Sequence, residues 1–452
     1  MAVGGGGGSQ IPAGFTYLGQ FIDHDLTFDK TSVTFGDSVS PAELLQARSP
    51  SLDLDSLYGA GPADPESAKF YAADGMHLKM GKTVGFEGEA ARDGFDLPRG
   101  AGTTRAQKRK AIIPDPRNDE NLAVAQTHLA LIRFHNRVVD TLPASLTPAQ
   151  RFNRARRMVT RHYQWMIRTD FLPRICQASI VNDVFSNGRK AFEVGAPPTD
   201  VPTMPIEFSV AAYRLGHSMI RTAYNWNSIF DFGSGSLDLL FHFSGGSGNL
   251  DGQTRLASIW IADFRRLYDF REAGRDNLAV PRAKFNNAMR INTVLADPLR
   301  TLPRFTDEDN LAIRNLVRAK MVRLATGQQM AAFLRGKGVS VTTLTKPQLR
   351  DGNGGAELDG LTTAQRDAVL RNTPLWFYIL REAELGGGKL RGVGARIVAE
   401  TLHRAMEGSQ VSIVREPDWR PSLGPNSTTF RMVDLLLFAF QGRKNLLAPL
   451  GD

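Results

Sequence analysis

Apolar residues recur at helical spacing along most of this chain, and in several places the period agrees with a capping signal. Leu122, Ala125, Leu129, Ile132 and Val139 trace one face of a helix over 121–142. Thr147-Pro-Ala-Gln150 places a capping Thr, a first-turn Pro and a Gln able to reach back ahead of a periodic run that continues to Leu172. Thr306-Asp-Glu-Asp309 is expected to open a helix over 310–322 in the same way, and Thr362-Thr-Ala-Gln365 one over 366–384. A further helix is expected over 391–406.

Strand signals are few and short, and no alternation of strands with helices points to a parallel sheet. The expectation is a mainly α fold, one large helical domain over 11–452 with few short strands. Residues 1–10 (MAVGGGGGSQ) read as a flexible N-terminal segment rather than a signal peptide, because no basic stretch precedes an apolar one. The Gly- and Ser-rich stretch 233–252 reads as a long surface loop.

Composition narrows the chemistry. Hydrophobic residues make up 42% and charged residues 22% of the chain, so disorder and coiled-coil readings fall away. The net charge of +9, spread over 452 residues, favours small anions without naming nucleic acid as a partner. The single cysteine, Cys176, excludes an internal disulfide and a cysteine-built zinc or iron–sulfur site. The longest apolar stretch, LLLFAF (435–440), is far short of the roughly 20 residues that cross a bilayer. A phosphate-loop reading of GMHLKMGKT (75–83) fails, since five residues separate its glycines where the motif has four.

Four segments carry candidate chemistry. In GQFIDHDLTFD (19–29), Asp23-His24-Asp25 sits between Ile22 and Leu26. Such a triplet is either an exposed acidic turn or a buried group in which each member needs a partner or ligand. On a helix Tyr17, Gln20 and His24 share one stripe. In SPSLDLDSLYG (49–59), alternate oxygen-bearing side chains suit a hard cation such as calcium, and a helix-start turn is the alternative. In DPRNDEN (115–121), Arg117 and Glu120 stand three apart at a helix start, as in many ordinary first turns. In AAYRLGHSMIR (211–221), His217 lies on an apolar helix, where a satisfied core histidine and a ligand to a flat macrocycle are both open readings.

In their order and separation these four segments resemble the distal-histidine, calcium-loop, distal-arginine and proximal-histidine motifs of the animal-type haem peroxidases, also called the peroxidase–cyclooxygenase superfamily. NLVRAKMVRLATGQ (315–328) and PLWFYILREAELGGG (374–388) are similar to its bacterial members. The resemblance covers about residues 11 to 420. It implies haem b, with His217 as the axial iron ligand, His24 as distal base, Arg117 as distal arginine and Gln20 beside them. Asp23 and Glu120 match carboxylates that form esters to the haem, and Arg214 joins the cofactor-binding set. Asp25, Ser49, Ser51, Asp53 and Asp55 would bind Ca2+.

The implied activity is reduction of hydrogen peroxide, with a ferryl oxidant taking electrons from halide, thiocyanate or phenolic donors. Asn121 stands where members with a third haem link carry Met, and Asp55 replaces a more usual serine. Gln328 stands where the family is expected to hold its proximal imidazole with an asparagine. A fatty-acid dioxygenase is the alternative within the superfamily, although Arg214 occupies the position of its tyrosine. A catalytically silent haem-binding module is the other alternative. The compartment is expected to be a bacterial cytoplasm, or outside it by export without a cleaved leader.

Overall fold

The computed structural model describes residues 2–3, 7–303 and 305–452. A short strand β1 (Gly8–Pro12) pairs antiparallel with β2 (Asn287–Met289), so residues 8–10 are tied into a ladder and do not form the free lead-in expected from their glycines. The helix that follows, α1 (Gly14–Leu26), has no side-chain cap. Its first residue must be small, because a Cβ on Gly14 would lie 2.2 Å from Cζ of Tyr268, whose hydroxyl donates to the Gly14 carbonyl at 2.8 Å.

A 3-10 turn over Pro116–Asp119 leads into α2 (Leu122–Thr141), which is buried on nearly every side and lies among α1, α3 (Pro148–Met166) and α8 (Met432–Ala439). A helix buried on nearly every side belongs at the centre of a fold, and its burial there supplies the stability that its own propensity does not. Thr147 and Gln150 form the expected capping box at the head of α3. The rod continues through a π turn at Ile167–Phe171 into Leu172–Ile175.

The later helices are α4 (Gly216–Met219), α5 (Leu311–Met321), α6 (Leu375–Leu385) and α7 (Gly392–Glu407). α5 fills the expected 310–322 span to within a residue at each end, but its cap lies one turn beyond Thr306. Its cap is Asn310, whose Oδ1 accepts from the amides of Ala312 and Ile313. Residues 307 and 308 are committed to Arg314, which donates to Asp307 Oδ1 at 2.7 Å and to the Glu308 carbonyl at 2.8 Å. Thr362 and Gln365 do form a capping box, but that helix ends at Arg371, and Pro374 separates it from α6. The 233–252 stretch is not wholly loop: Ser236 caps a short helix over Leu237–His242. Among the described residues the strands form only two-stranded pairings, and one contiguous apolar core runs through the helices.

α1 is the element that locates the site. It touches α2 and the 116–119 turn on one side and α4 on the other, so residues close to 24, 117 and 217 meet around it.

Candidate active site

Between these elements lies a cavity of about 420 Å3 walled by Gln20, Asp23 and His24 of α1, by Arg117, Glu120 and Asn121, and by Arg214 and His217. Its size falls within the range of cavities that enclose a small organic ligand. Apolar side chains, Phe171, Leu215, Met219 and Leu237 among them, make up much of the rest of the wall.

On the α1 side, His24 is 4% exposed and its Nδ1 stands 2.9 Å from Asn118 Oδ1. Burial, followed by the charge of Arg117, pushes its imidazole down to about 3, so it is neutral at pH 7. His24 Nε2 lies 3.7 Å from Glu120 Oε1. Gln20 spans the neighbouring acid and amide: its Nε2 donates to Glu120 Oε1 at 2.6 Å, and its Oε1 accepts from Asn121 Nδ2 at 3.1 Å. Asn121 has a second task, because its Oδ1 caps α2 by accepting from Val124 N.

Arg117 is held by Asp115, which caps the turn through the Arg117 amide and accepts from both Nε and Nη2. Nη2 also donates to the His24 carbonyl at 3.1 Å and to the Thr27 carbonyl. The guanidinium plane therefore stitches the 115–121 turn to the last turn of α1. Burial pushes the Asp115 carboxyl up, but hydrogen bonds and charge from Arg117 outweigh it and hold it at about 2. Arg48 adds a second ion pair at 2.7 Å. Asp23 moves the other way: burial raises it, against Arg117 and Arg214.

Across the cavity, burial and then Arg214 push His217 down to about 3, which leaves an unprotonated imidazole. Its Nδ1 faces Asn315 Nδ2 of α5 at 3.0 Å, while Arg214 Nη1 donates to Asn315 Oδ1 at 3.1 Å. A metal at Nε2 asks for the opposite polarity at Nδ1, an N–H meeting an amide oxygen. Half a turn of the Asn315 amide supplies it, once an anion takes the guanidinium of Arg214. With that adjustment the donor set fits a haem: a neutral imidazole on the wall, an enclosing apolar surface, and arginines for carboxylate substituents.

Seven residues expected at the site thus share one cavity: Gln20, Asp23, His24, Arg117, Glu120, Arg214 and His217. Gln328 does not belong there. Its side chain fastens the junction before α6, donating to Thr373 Oγ1 at 2.8 Å and accepting from the Thr373 amide at 3.1 Å, and Asn315 is the residue that meets the His217 imidazole.

The calcium set is only partly gathered: Asp55 lies near enough to raise both Asp25 and Asp53. Asp25 is buried and accepts from the amides of Leu54 and Ser56 and from the Ser56 hydroxyl. Asp53 accepts from Gln410 N, the Ser51 hydroxyl donates to the Gly408 carbonyl, and Asp55 pairs with Arg156 at 3.7 Å. No bond draws Ser49 to these carboxylates. Among the described residues no three His, Cys, Asp or Glu side chains are placed to hold a metal ion. Burial and then the charge of Asp55 push Asp25 up to about 7 and Asp53 to about 6, and backbone amides work against both shifts.

Sequence reasoning missed Asn118, Asn315 and Asp115. Asn118 and Asp115 stand inside the DPRNDEN motif, within two residues of Arg117, where their neighbourhood was the available signal. Asn315 opens the NLVRAKMV segment, and the exchange of Asn315 for Gln328 is an error of register. No described helix is long and apolar enough to cross a membrane.

Comparison with known proteins agrees with this geometry. Residues 20–234 match the family model for animal haem peroxidase. A peroxidase-like protein of Margaritifera margaritifera is 31% identical over 114 residues, 25% of this chain and 14% of the relative. Thyroid peroxidase of Mus musculus is 25% identical over 191 residues, 41% of this chain and 20% of the relative. The matched regions thus span a fifth or less of those relatives' length. Among solved structures, peroxidase A from Dictyostelium discoideum aligns with a TM-score of 0.56 at 16% identity, covering 98% of this chain and 86% of its own. Fatty acid alpha-dioxygenase of Oryza sativa aligns with a TM-score of 0.60 at 11% identity, covering 98% and 74%. At these identities the structural likeness speaks for the fold.

Proposed function

We propose that this chain, which matches the family model for animal haem peroxidase over residues 20–234, is a haem-dependent peroxidase, reducing hydrogen peroxide while oxidising small donors such as halide, thiocyanate or phenols. The observation that carries this reading is that two neutral imidazoles, the buried His24 and the half-buried His217, wall the same cavity together with Arg117.

His217 would hold the iron, and Arg214 would meet a carboxylate of the macrocycle. When bound, the haem supplies the redox chemistry. The protein's own part is acid–base and electrostatic. His24, neutral, accepts the first proton of the incoming peroxide at Nε2 and returns it to the departing oxygen. Arg117 keeps a fixed positive charge beside the bond that breaks, a preorganised contribution of a few kcal/mol. Gln20, braced on both sides, presents a polar edge to a small anion or a water. Asp23 and Glu120 bring carboxyls to the same wall and are the proposed points of covalent attachment.

The test is an absorption spectrum of haem-loaded protein with a peroxide-dependent oxidation assay, followed by acid–acetone extraction. Haem that stays with the polypeptide supports the esters, and haem that washes out refutes them. No Soret band after loading would refute the whole reading.

A second reading, fatty-acid oxygenation, has one observation in its favour. Tyr213 lines the cavity, stacked on Phe208 at 4.6 Å, and its buried hydroxyl has no hydrogen-bond partner among the described residues. Product analysis with linoleate separates the two: oxygenated fatty acid without added peroxide would favour it.

A further inference from the structure

His24 can act as a base only if its cavity-facing nitrogen carries the lone pair, and nothing about a neutral imidazole guarantees that. The proton sits on Nδ1 or on Nε2, and the partner of the other nitrogen decides which. We infer that Asn118 is a positioning residue whose side-chain oxygen holds the proton of His24 on Nδ1 and so keeps Nε2 a proton acceptor. The inference rests on the peroxidase reading and extends it to a residue outside the cavity wall.

Three observations support it. Asn118 Oδ1 stands 2.9 Å from Nδ1, a normal hydrogen-bond distance. Asn118 is fully buried, and its Nδ2 has no partner among the described residues. Leaving half an amide unpaired inside a protein costs on the order of 1–3 kcal/mol. An apolar side chain would avoid that cost, so the amide is present for its oxygen. Finally, Asn118 is rigid. Its amide donates to the Asp115 carbonyl at 3.1 Å inside the 116–119 turn, and that turn is bolted to α1 by Arg117. The acceptor thus moves with the helix that carries His24. A carboxylate in the same place would also accept from Nδ1–H, whereas an alkyl group would leave the imidazole free to rotate and to exchange tautomers.

The proton bookkeeping can be checked with hydrogen cyanide, a neutral ligand that must give up its proton to a base, here His24 Nε2, as cyanide binds ferric haem. Carbon monoxide, which binds ferrous haem and carries no proton, reports access and pocket integrity. In the haem-loaded full chain, Asn118→Leu and Asn118→Ala are expected to slow cyanide association at least about tenfold. Carbon monoxide association should stay within about twofold, and Asn118→Asp should bring cyanide association back to within about threefold of wild type. Equal slowing of both ligands, no slowing of either, or an Asp variant as slow as Leu would overturn the inference. The Ala variant serves if Leu does not fold, and carbon monoxide binding shows which has folded. Wild-type protein that binds both ligands while its variants lose both equally removes only the role of Asn118. Wild-type protein that binds neither overturns the peroxidase reading and this inference with it.

Discussion

Asp115 is the residue on which the Arg117 side of the cavity turns, and Asp115→Asn is the change that exposes its contribution. The carboxylate is fully buried, faces Arg48 and Arg117, and is held at about 2. Against an ordinary aspartate near 3.8, that depression corresponds to roughly 2 kcal/mol of stability at pH 7. The group is depressed in the folded state, so its contribution is present above pH 3.8 and is lost as pH falls towards 2. Most of it should remain at pH 4 and about half at pH 3. Asparagine keeps the shape and one acceptor but leaves two buried guanidiniums without their countercharge. Urea unfolding of wild type and variant at pH 7, 4 and 3 should show a gap that narrows in that sequence. A gap of the same size at all three values, or none at pH 7, would refute the electrostatic account. The freed Arg117 should also weaken the peroxide step in the variant, since its other anchors are two backbone carbonyls at the end of α1.

Other expectations follow from the same geometry. His24→Leu should retain a Soret band yet lose roughly 10²- to 10⁴-fold in the rate of reaction with hydrogen peroxide, measured by stopped-flow absorbance. Asn315→Leu removes the amide that meets His217 Nδ1 and should weaken haem retention by roughly 10- to 100-fold, read as faster transfer to apomyoglobin. Glu382, buried and pushed up to about 7 chiefly by burial, contributes stability that is complete below pH 4.5 and is lost as pH rises through 7, roughly 3 kcal/mol in all. Glu382→Gln should therefore be destabilised at pH 5, where its amide N–H meets the donor amides of Val393 and Gly394, and should recover relative to wild type at pH 8. Equal differences at the two pH values in urea unfolding would count against that assignment.

What the sequence disclosed depended on how local the interaction was. The caps Thr147 and Thr362 were legible because donor and acceptor lie three residues apart in one turn. The helix over 122–141 was legible because its burial is written in its own period. The short helix over 237–242 was not, since six residues hold less than two turns of pattern. Thr306 was a plausible cap that lost to Asn310 because Arg314, six or seven residues on, claims the acidic turn before it. At the site, His24, Arg117 and His217 announced themselves by motif. Asn118 and Asn315 act through side-chain hydrogen bonds to residues 94 and 98 positions away, and only the tertiary fold creates those partners.

The stitching of α1 to the 115–121 turn has a consequence for anyone who would alter this protein. Gln20 leans on Glu120 and Asn121, His24 on Asn118, and the carbonyls of residues 24 and 27 on Arg117. Substitutions on the two segments will not combine by simple addition, and pairs that share a bond should deviate by about 0.5–3 kcal/mol. Variant libraries that randomise one segment while freezing the other would mostly sample broken seams, and productive diversity will be found by exchanging the helix and the turn together as one cassette.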